Sequence, residues 1–328
     1  MHVALIEPNW DYEVRAKNWE NYMKERYIPI GLLKLGSLYR KMGATVELIR
    51  GEGMPLKKPD LVLISSLFTY WWQPVWASVK TYKTLYPDTK VVIGGLYASI
   101  MPDHCKQSGC DEIHTGLVEE AEGLIPAYDL IPDYDKCVIH ASRGCVRSCN
   151  FCYAHKLEPK YEPKKSIKNE IVKAKVSFLD NNLLGNPYIE DILKELIEER
   201  INSSYCLSGV DAAFVTKDIA ELMFEANFRD IRISFDRADE ERPCERAIRY
   251  FEGAGYSRND LGVFVLYNFE DTFDEVEKRR ILIKDWGAHI IKQRYIPIPS
   301  LTNTYLHPNW TEEGCEQFAI NCRKQIKD

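Results

Sequence analysis

Short apolar runs alternate with segments of helical periodicity over the first 124 residues. The runs predict five β-strands, at residues 2–7, 45–49, 60–65, 90–95 and 112–116. Apolar residues between them recur at helical spacing and predict helices at 28–39, 75–86 and 99–107. Strands that are almost wholly apolar, joined by short helical crossovers, are typical of a doubly wound parallel sheet, whose ligands bind at the carboxyl ends of the strands.

The same alternation returns after a segment with two prolines and no periodicity. Strands are predicted at 137–142, 175–180, 205–211, 230–236, 262–268 and 289–297. Helices are predicted at 166–174, 189–201, 217–226, 243–253 and 272–286. Six βα units predict a partial (β/α)6 barrel. We therefore expect a Rossmann-like domain at 1–124, a linker at 125–136, a barrel at 137–298 and a C-terminal extension at 299–328.

Composition indicates the kind of protein and the cellular compartment that we expect for this α/β chain. Of its 328 residues, 45% are hydrophobic and 28% are charged, which is ordinary for a soluble globular protein, and the net charge of −6 predicts no broad nucleic-acid footprint. No apolar run approaches the ~20 residues that span a bilayer, and the N-terminus has no signal-like pattern. We expect a cytoplasmic protein whose ten cysteines stay reduced and are available to metals.

Three of these cysteines follow the first predicted barrel strand. The stretch SRGCVRSCNFCY at 142–153 places Cys145, Cys149 and Cys152 in a C-x3-C-x2-C array. Three thiolates on one loop can hold a soft metal centre and leave one position open, which is the ligand set that a catalytic [4Fe–4S] cluster needs. His155 completes an alternative set of three cysteines and one histidine for structural zinc. Zinc spacing does not predict the βα repeats around the loop, so the cluster is the favoured interpretation.

In this context the array resembles the cluster loop of the radical S-adenosylmethionine (SAM) superfamily. The preceding domain is similar to its B12-binding class in YIPIGLLKLG at 27–36, in GGLYASIMP at 94–102 and in the lead-in SRGC at 142–145. The resemblance implies a SAM-bound cluster that generates a 5′-deoxyadenosyl radical. It also implies an electron donor such as flavodoxin or ferredoxin.

The resemblance further implies SAM contacts at the ends of the barrel strands. Phe151 is expected near the adenine, and 180–182 near the SAM amino group, where the common Gly-Gly-Glu form is absent. On the fourth strand, Ser234 and Asp236 are expected at the ribose or carboxylate, and on the fifth strand, Leu266 to Asn268 are expected to border the adenine. The full candidate set is Phe151, Asp180, Asn181, Asn182, Ser234, Asp236, Leu266 and Asn268. Judged without the resemblance, such polar residues are ordinary turn and cap residues.

Cobalamin is the second implied cofactor. Small residues at the strand ends of the first domain are its candidate contacts: Ser65, Ser66, Thr69, Gly94, Gly95 and Gly116. The loop at 7–13 lacks the histidine of the Asp-x-His-x-x-Gly motif, and many B12-class radical enzymes lack it too. The rings of Tyr70, Trp71, Trp72 and Trp76 either lie against a corrin or fill the cavity as plain core packing.

The favoured function is cobalamin-dependent methylation of an unactivated carbon. The alternative within the same superfamily is a rearrangement, cyclisation or carbon–sulfur reaction without cobalamin, and a non-catalytic zinc module is the alternative of another class. The substrate is left open among peptides, small metabolites, lipids and nucleic acids, and so is the oligomeric state.

Overall fold

The computed structural model describes residues 1–10, 28–51 and 53–325. Residues 11–13 of the loop after the first strand, and Tyr27 of the B12-like motif, lie outside this part of the chain. The chain divides into two units. The first comprises Met1–Tyr134 and Ile298–Asn303, and the second comprises Asp135–Pro297 and Thr304–Asp328.

Parallel strands form the sheet of the first unit. They are β1 (His2–Glu7), β2 (Thr45–Arg50), β3 (Leu61–Ser66), β4 (Lys90–Gly95) and β5 (Glu112–Ile113). The order is β2-β1-β3-β4-β5, and every neighbouring pair is parallel. This is the strand order of flavodoxin-like doubly wound sheets, so the predicted fold class of the N-terminal half is confirmed.

Helices cover both faces of this sheet. They are α1 (Ile30–Lys41), α2 (Trp72–Leu85), α3 (Leu96–Ile100), α4 (Pro102–Lys106) and α5 (Glu119–Glu122). Val3 and Leu5 pack with Leu32 of α1, whereas Ala4 and Ile6 lie in the cluster that includes α2. Successive strand residues face opposite sides, so β1 is buried on both faces, as its continuous apolar run predicts.

A row of parallel strands also organises the second unit. The strands are β6 (Cys137–Ile139), β7 (Ser142–Arg143), β8 (Glu162–Pro163), β9 (Lys175–Phe178), β10 (Ser203–Cys206), β11 (Ile231–Ser234), β12 (Leu261–Tyr267) and β13 (His289–Arg294). They form the orders β6-β9-β10 and β11-β12-β13, and a parallel bridge between Val210 and Ile233 connects the two. The short pair β7–β8 is antiparallel. The row β6-β9-β10-β11-β12-β13 confirms the predicted partial (β/α)6 barrel.

Helices follow most strands of this unit, but none forms in the segment before β9 where one was predicted. They are α6 (Ala154–Leu157), α7 (Ile189–Glu198), α8 (Lys217–Glu225), α9 (Glu241–Ala254), α10 (Phe273–Asp285) and α11 (Glu312–Gln325). The helix predicted at 166–174 is wrong, because only Lys168–Glu170 forms a single 3-10 turn. Ile167 buries its side chain there while its amide donates to Glu195 Oε2 at 2.8 Å, so a distant carboxylate replaces a helical partner. No helix within the described ranges is long and apolar enough to cross a bilayer.

Candidate active site

The three cysteines lie on a loop, residues 144–161, that begins after β7 and ends before β8; we call it the three-cysteine loop. The pairing of Ser142 with Pro163 and of Arg143 with Glu162 closes its base. Gly144 has φ +72°, and a Cβ on it would stand 2.4 Å from the Lys160 carbonyl oxygen. Only glycine therefore permits this close crossing of the loop's two ends.

Glu158 ties the start of the loop to its end. One carboxylate oxygen accepts from the Gly144 amide at 2.7 Å and from Asn181 Nδ2 at 3.1 Å. The other accepts from Arg143 Nη1 at 3.2 Å. Charge-assisted bonds of this kind are stronger than neutral ones, so Glu158 stabilises the loop's entry next to Cys145.

Asp180 fixes the strand end that precedes the loop. Its fully buried carboxylate accepts from the Ala141 amide at 2.9 Å and from the Ser142 amide and hydroxyl at 2.5 and 2.8 Å. Burial raises the pKa of Asp180 to about 6, against the lowering effect of these hydrogen bonds. The structure thus assigns Asp180 a role in holding the loop's base, and its contact with SAM stays a prediction.

The three thiols lie within eight residues of the loop and differ in exposure. Cys145 and Cys149 are half-buried and Cys152 is exposed, and the Cys152 amide donates to the Cys149 carbonyl oxygen at 3.1 Å. Burial raises the pKa of Cys145 and of Cys149, and the charge of Cys152 raises both further. Three accessible soft donors on one loop fit a [4Fe–4S] cluster, in which each thiolate binds a different iron.

The alternative zinc site needs a tighter arrangement. Ligands of one zinc ion converge on a single point, with each sulfur about 2.3 Å from the metal. Among the described residues, no three His, Cys, Asp or Glu side chains converge in this way. The Nδ1 atom of His155 is buried and has no hydrogen-bond partner among the described residues.

The loop is attached to the ends of three later strands. Arg147 donates from Nε to Asp211, beyond β10, at 2.8 Å. Asn150 Nδ2 donates to Glu270, beyond β12, at 3.1 Å, and the Phe151 ring meets the Phe269 ring edge-on at 5.9 Å between centroids. The charges of Arg237 and Glu240, beyond β11, act on the Cys149 thiol. The cysteines therefore lie at the carboxyl ends of the barrel strands, where barrel enzymes carry their chemistry.

Several residues of this arrangement are absent from the candidates that the sequence offers, among them Asn150. The others are Arg147, Glu158, Asp211 and Glu270. Asp211 and Glu270 were detectable in principle, because each is an acidic residue at or just beyond the carboxyl end of a predicted barrel strand. The partners of Arg147 and Glu158 are set by the fold of the loop, which no local periodicity encodes.

Asp236 lies at the end of β11 beside the predicted ribose or carboxylate site. Its Oδ1 accepts from the Leu266 amide at 2.8 Å, and its own amide donates to Glu240 Oε2 at 2.8 Å. Burial raises the pKa of Asp236 to about 7, and the Glu240 charge adds to this, while Arg279 and Arg237 oppose it. Carboxyl groups with such raised pKa values are frequent at functional sites. Ser234, on the same strand, accepts at its carbonyl from Cys244 Sγ at 3.1 Å.

We expect Asp236→Asn to stabilise the protein in a pH-dependent way. The folded-state pKa of Asp236 is raised above its ordinary value of 3.8, so ionisation costs stability as pH rises from about 4 to about 7. Asparagine keeps the oxygen that accepts from Leu266 and cannot ionise. Between about pH 5 and pH 8 the variant's gain in unfolding free energy should grow by about 2 kcal/mol. Thermal unfolding at both pH values measures this, and a gain independent of pH would contradict it.

Asn268 connects the end of β12 to the segment that follows β13. It is fully buried at φ +63°, and its Nδ2 donates to the carbonyl oxygens of Tyr295 and Tyr305 at 3.1 and 3.0 Å. Its Oδ1 accepts from the His307 amide at 2.9 Å. All of its side-chain bonds therefore hold Tyr295, Tyr305 and His307 onto the barrel. Contact of Asn268 with SAM stays a prediction.

Asn268→Gly should release this segment without straining the backbone. Glycine accepts the left-handed conformation and loses only the three side-chain bonds, at a cost of about 2–3 kcal/mol. Asn268→Ala should cost roughly 1 kcal/mol more, because alanine disfavours positive φ. Hydrogen exchange of peptides covering 295–307 measures the release. Unchanged exchange in both variants would show that Asn268 does not hold the segment.

The predicted cobalamin contacts lie at the strand ends of the first unit, and several have internal partners. Ser66 Oγ donates to the Gly94 carbonyl at 2.8 Å and accepts from the Ala98 amide at 3.1 Å. Thr69 is buried and bonds to the backbone of Ser300. Gly95 has φ +100°, and a Cβ there would stand 2.3 Å from the Ser66 carbonyl, so strand packing alone requires this glycine.

The remaining candidates are less constrained. Ser65 Oγ lies 3.4 Å from the Ile6 carbonyl. A Cβ on Gly94 would make only ordinary contact with His114 at 3.9 Å, and a Cβ on Gly116 would meet nothing within 4 Å. A Cβ at Gly94 or Gly116 would therefore meet no close neighbour, and binding of cobalamin there stays a prediction.

Aromatic rings cluster near the carboxyl end of β3. The rings of Trp72 and Trp76 meet edge-on at 4.7 Å between centroids, and His104 lies 5.2 and 5.1 Å from them. Trp76 Nε1 donates to Tyr97 Oη at 3.0 Å, and that hydroxyl lies 2.6 Å from His104 Nδ1. These contacts favour core packing for the tryptophans, and they leave the corrin-facing alternative as a prediction.

Comparison with known proteins shows the fold but no family by sequence. No protein-family model matches the chain, and no curated protein matches it significantly. A solved structure of the radical SAM methyltransferase TsrM from Kitasatospora setae, with cobalamin and a [4Fe–4S] cluster bound, matches with a TM-score of 0.66 at 14% identity. The match covers 89% of this chain and 74% of TsrM, and so extends over both units. SuiB from Streptococcus suis, bound to SAM, matches at 13% identity over 58% of this chain and 45% of SuiB, with a TM-score of 0.39.

Proposed function

We propose that this chain is a radical SAM enzyme. The observation that carries the proposal is the three-cysteine loop, held at the carboxyl ends of a six-stranded parallel barrel by contacts to three later strand ends. Cys145, Cys149 and Cys152 would hold a [4Fe–4S] cluster, which when bound supplies the electron that cleaves SAM to a 5′-deoxyadenosyl radical. The fold shared with TsrM supports this assignment.

The protein's own residues would position SAM and exclude water. Phe151, half-buried against Phe269, offers a ring face for the adenine. Asn181 and Asp236 present polar groups at the ends of β9 and β11, while Asp180 and Asn268 keep the surrounding backbone in place. An electron donor such as flavodoxin or ferredoxin is the partner that this chemistry needs. A reducing cytoplasm suits the ten free thiols.

The reaction we propose is cobalamin-dependent methylation of an unactivated carbon. It is supported by the match to TsrM, a methyltransferase with cobalamin bound, over more of this chain than either unit contains. The parallel sheet of the first unit would hold the cobalamin at the open strand ends near Gly94 and Gly116. Cobalamin, when bound, supplies a methyl carrier.

A second candidate is a radical SAM reaction without cobalamin. The internal bonds of Ser66 and Thr69 and the packed rings of Trp72 and Trp76 favour it, because they use polar groups and space that a corrin would need. In this case the first unit is a scaffold. The radical chemistry of the barrel is common to both candidates.

Anaerobic purification with cobalamin supplied distinguishes these functions. We expect about four iron atoms per chain and release of 5′-deoxyadenosine from SAM under dithionite. A corrin spectrum that persists through gel filtration supports methyl transfer, whereas iron without corrin supports the second candidate. A colourless protein that leaves SAM intact after reconstitution would overturn the enzyme assignment.

A further inference from the structure

Asp211 connects three segments around the three-cysteine loop. Its carboxylate accepts from Arg147 Nε and Nη2 at 2.8 and 3.3 Å, a bidentate geometry that fixes direction as well as distance. It also accepts from Asn182 Nδ2 at 3.2 Å and from the Ala213 amide at 3.0 Å. The end of β9, the turn after β10 and the loop itself therefore share one acceptor.

This connection adds little to overall stability. The side chains of Arg147 and Asp211 are 44% and 22% exposed, and ion pairs of such exposure contribute about 0–1 kcal/mol. The Arg147 guanidinium also lies over the Phe214 ring, at 5.7 Å from its centroid. The contacts with Asp211 and Phe214 therefore restrict the position of Arg147, although they add little to the free energy of unfolding.

The backbone of Arg147 in turn contacts a predicted cluster ligand. Its amide donates to Cys145 Sγ at 3.4 Å. Hydrogen bonds to ligand sulfurs stabilise the more negative, reduced form of an iron–sulfur cluster and so raise its reduction potential. Arg147 therefore contacts Asp211 through its side chain and the Cys145 sulfur through its backbone amide.

We infer that Asp211 is a positioning residue, which holds Arg147 so that its amide stays bonded to the Cys145 sulfur and keeps the cluster reducible. The inference rests on the proposed function for the cluster. The ordering of the loop by Asp211 is independent of the proposed function, because it needs no bound cluster. Asp211 touches no reacting atom in this role and acts through Arg147.

The double variant Arg147→Met/Asp211→Asn tests the inference, because it removes the ion pair without changing net charge. The asparagine introduced at position 211 keeps an oxygen for the Ala213 amide. In the full-length, cluster-free protein we expect hydrogen exchange of peptides covering 144–152 to quicken at least threefold. In the reconstituted protein we expect a roughly tenfold fall in the equilibrium constant for reduction, which corresponds to about 59 mV for one electron.

A matched control is Arg249→Met/Glu252→Gln, which removes an exposed pair of 2.8 Å on α9 in the same unit. It should change neither quantity. Unchanged exchange in the test variant would overturn the positioning role whatever the metal content. Faster exchange with an unchanged potential would overturn the link through the sulfur. Faster exchange in a protein whose wild type takes up no iron would overturn the proposed function and leave the ordering role intact.

Discussion

Replacing Cys145, Cys149 and Cys152 together with alanine should abolish iron binding and SAM cleavage. The three thiols are the soft donors of the loop, and the described residues offer no converging metal site to replace them. Iron in the anaerobically reconstituted protein should fall from about four atoms per chain to almost none, and the visible absorption should disappear. Metal analysis and a visible spectrum of both proteins measure the effect.

The matched control removes three thiols from elsewhere. Cys110→Ser/Cys315→Ala/Cys322→Ala changes as many cysteines outside the loop and should retain the iron. Equal loss in both triple variants would contradict a specific role for the loop. His155→Ala separates the metals, since a Cys3His zinc site would lose its zinc while a cluster bound by three cysteines keeps its iron.

Gly144→Ala should disrupt the loop without touching a sulfur. A Cβ at this position meets the Lys160 carbonyl oxygen at 2.4 Å and the Glu158 carbonyl oxygen at 3.1 Å, and the residue has φ +72°. Backbone oxygens cannot rotate away as side chains do, so the crossing must open, at a cost of roughly 3 kcal/mol or more. We expect a fall in Tm of the order of 5–10 °C and a loss of most bound iron.

Two other glycines of the same unit separate the steric clash at Gly144 from the cost of positive φ. Gly287 also has positive φ, but a Cβ there would meet only Glu252 Oε1 at 3.7 Å, so Gly287→Ala measures backbone strain alone, about 1 kcal/mol. Gly253 lies within α9 with nothing within 4 Å, and its change to alanine should stabilise the helix slightly. If Gly144→Ala lowers Tm no more than Gly287→Ala, the crossing does not require glycine.

Apolar periodicity was sufficient to predict β1, β3 and β12, because these strands are largely buried and their apolar pattern is continuous. It failed at 166–174, where the bond between the Ile167 amide and Glu195 replaces a helical turn. It also placed the third barrel strand at 205–211, whereas β10 spans Ser203–Cys206 and includes two buried serines. Ser204 Oγ donates to the Ala226 carbonyl at 2.9 Å, and a partner so distant in sequence is invisible to a local pattern.

The candidate site likewise has a part that the local sequence predicts and a part that depends on long-range contacts. The spacing of the cysteines and their place after the first barrel strand were available from the sequence. The attachment of the loop was not, because Arg147 and Asp211 are 64 residues apart and Asn150 and Glu270 are 120 apart. Contacts of this range depend on the row of parallel strands, and only the folded chain brings them together.

The return of Ile298–Asn303 to the first unit has a consequence for the order of folding. Thr69 and Trp72, near the carboxyl end of β3, bond to the backbone of Ser300 and Leu301. During synthesis from the N-terminus, the ribosome must make the whole of Asp135–Pro297 before these partners exist. The N-terminal sheet can begin to form first, but the strand end beside its tryptophans is completed last.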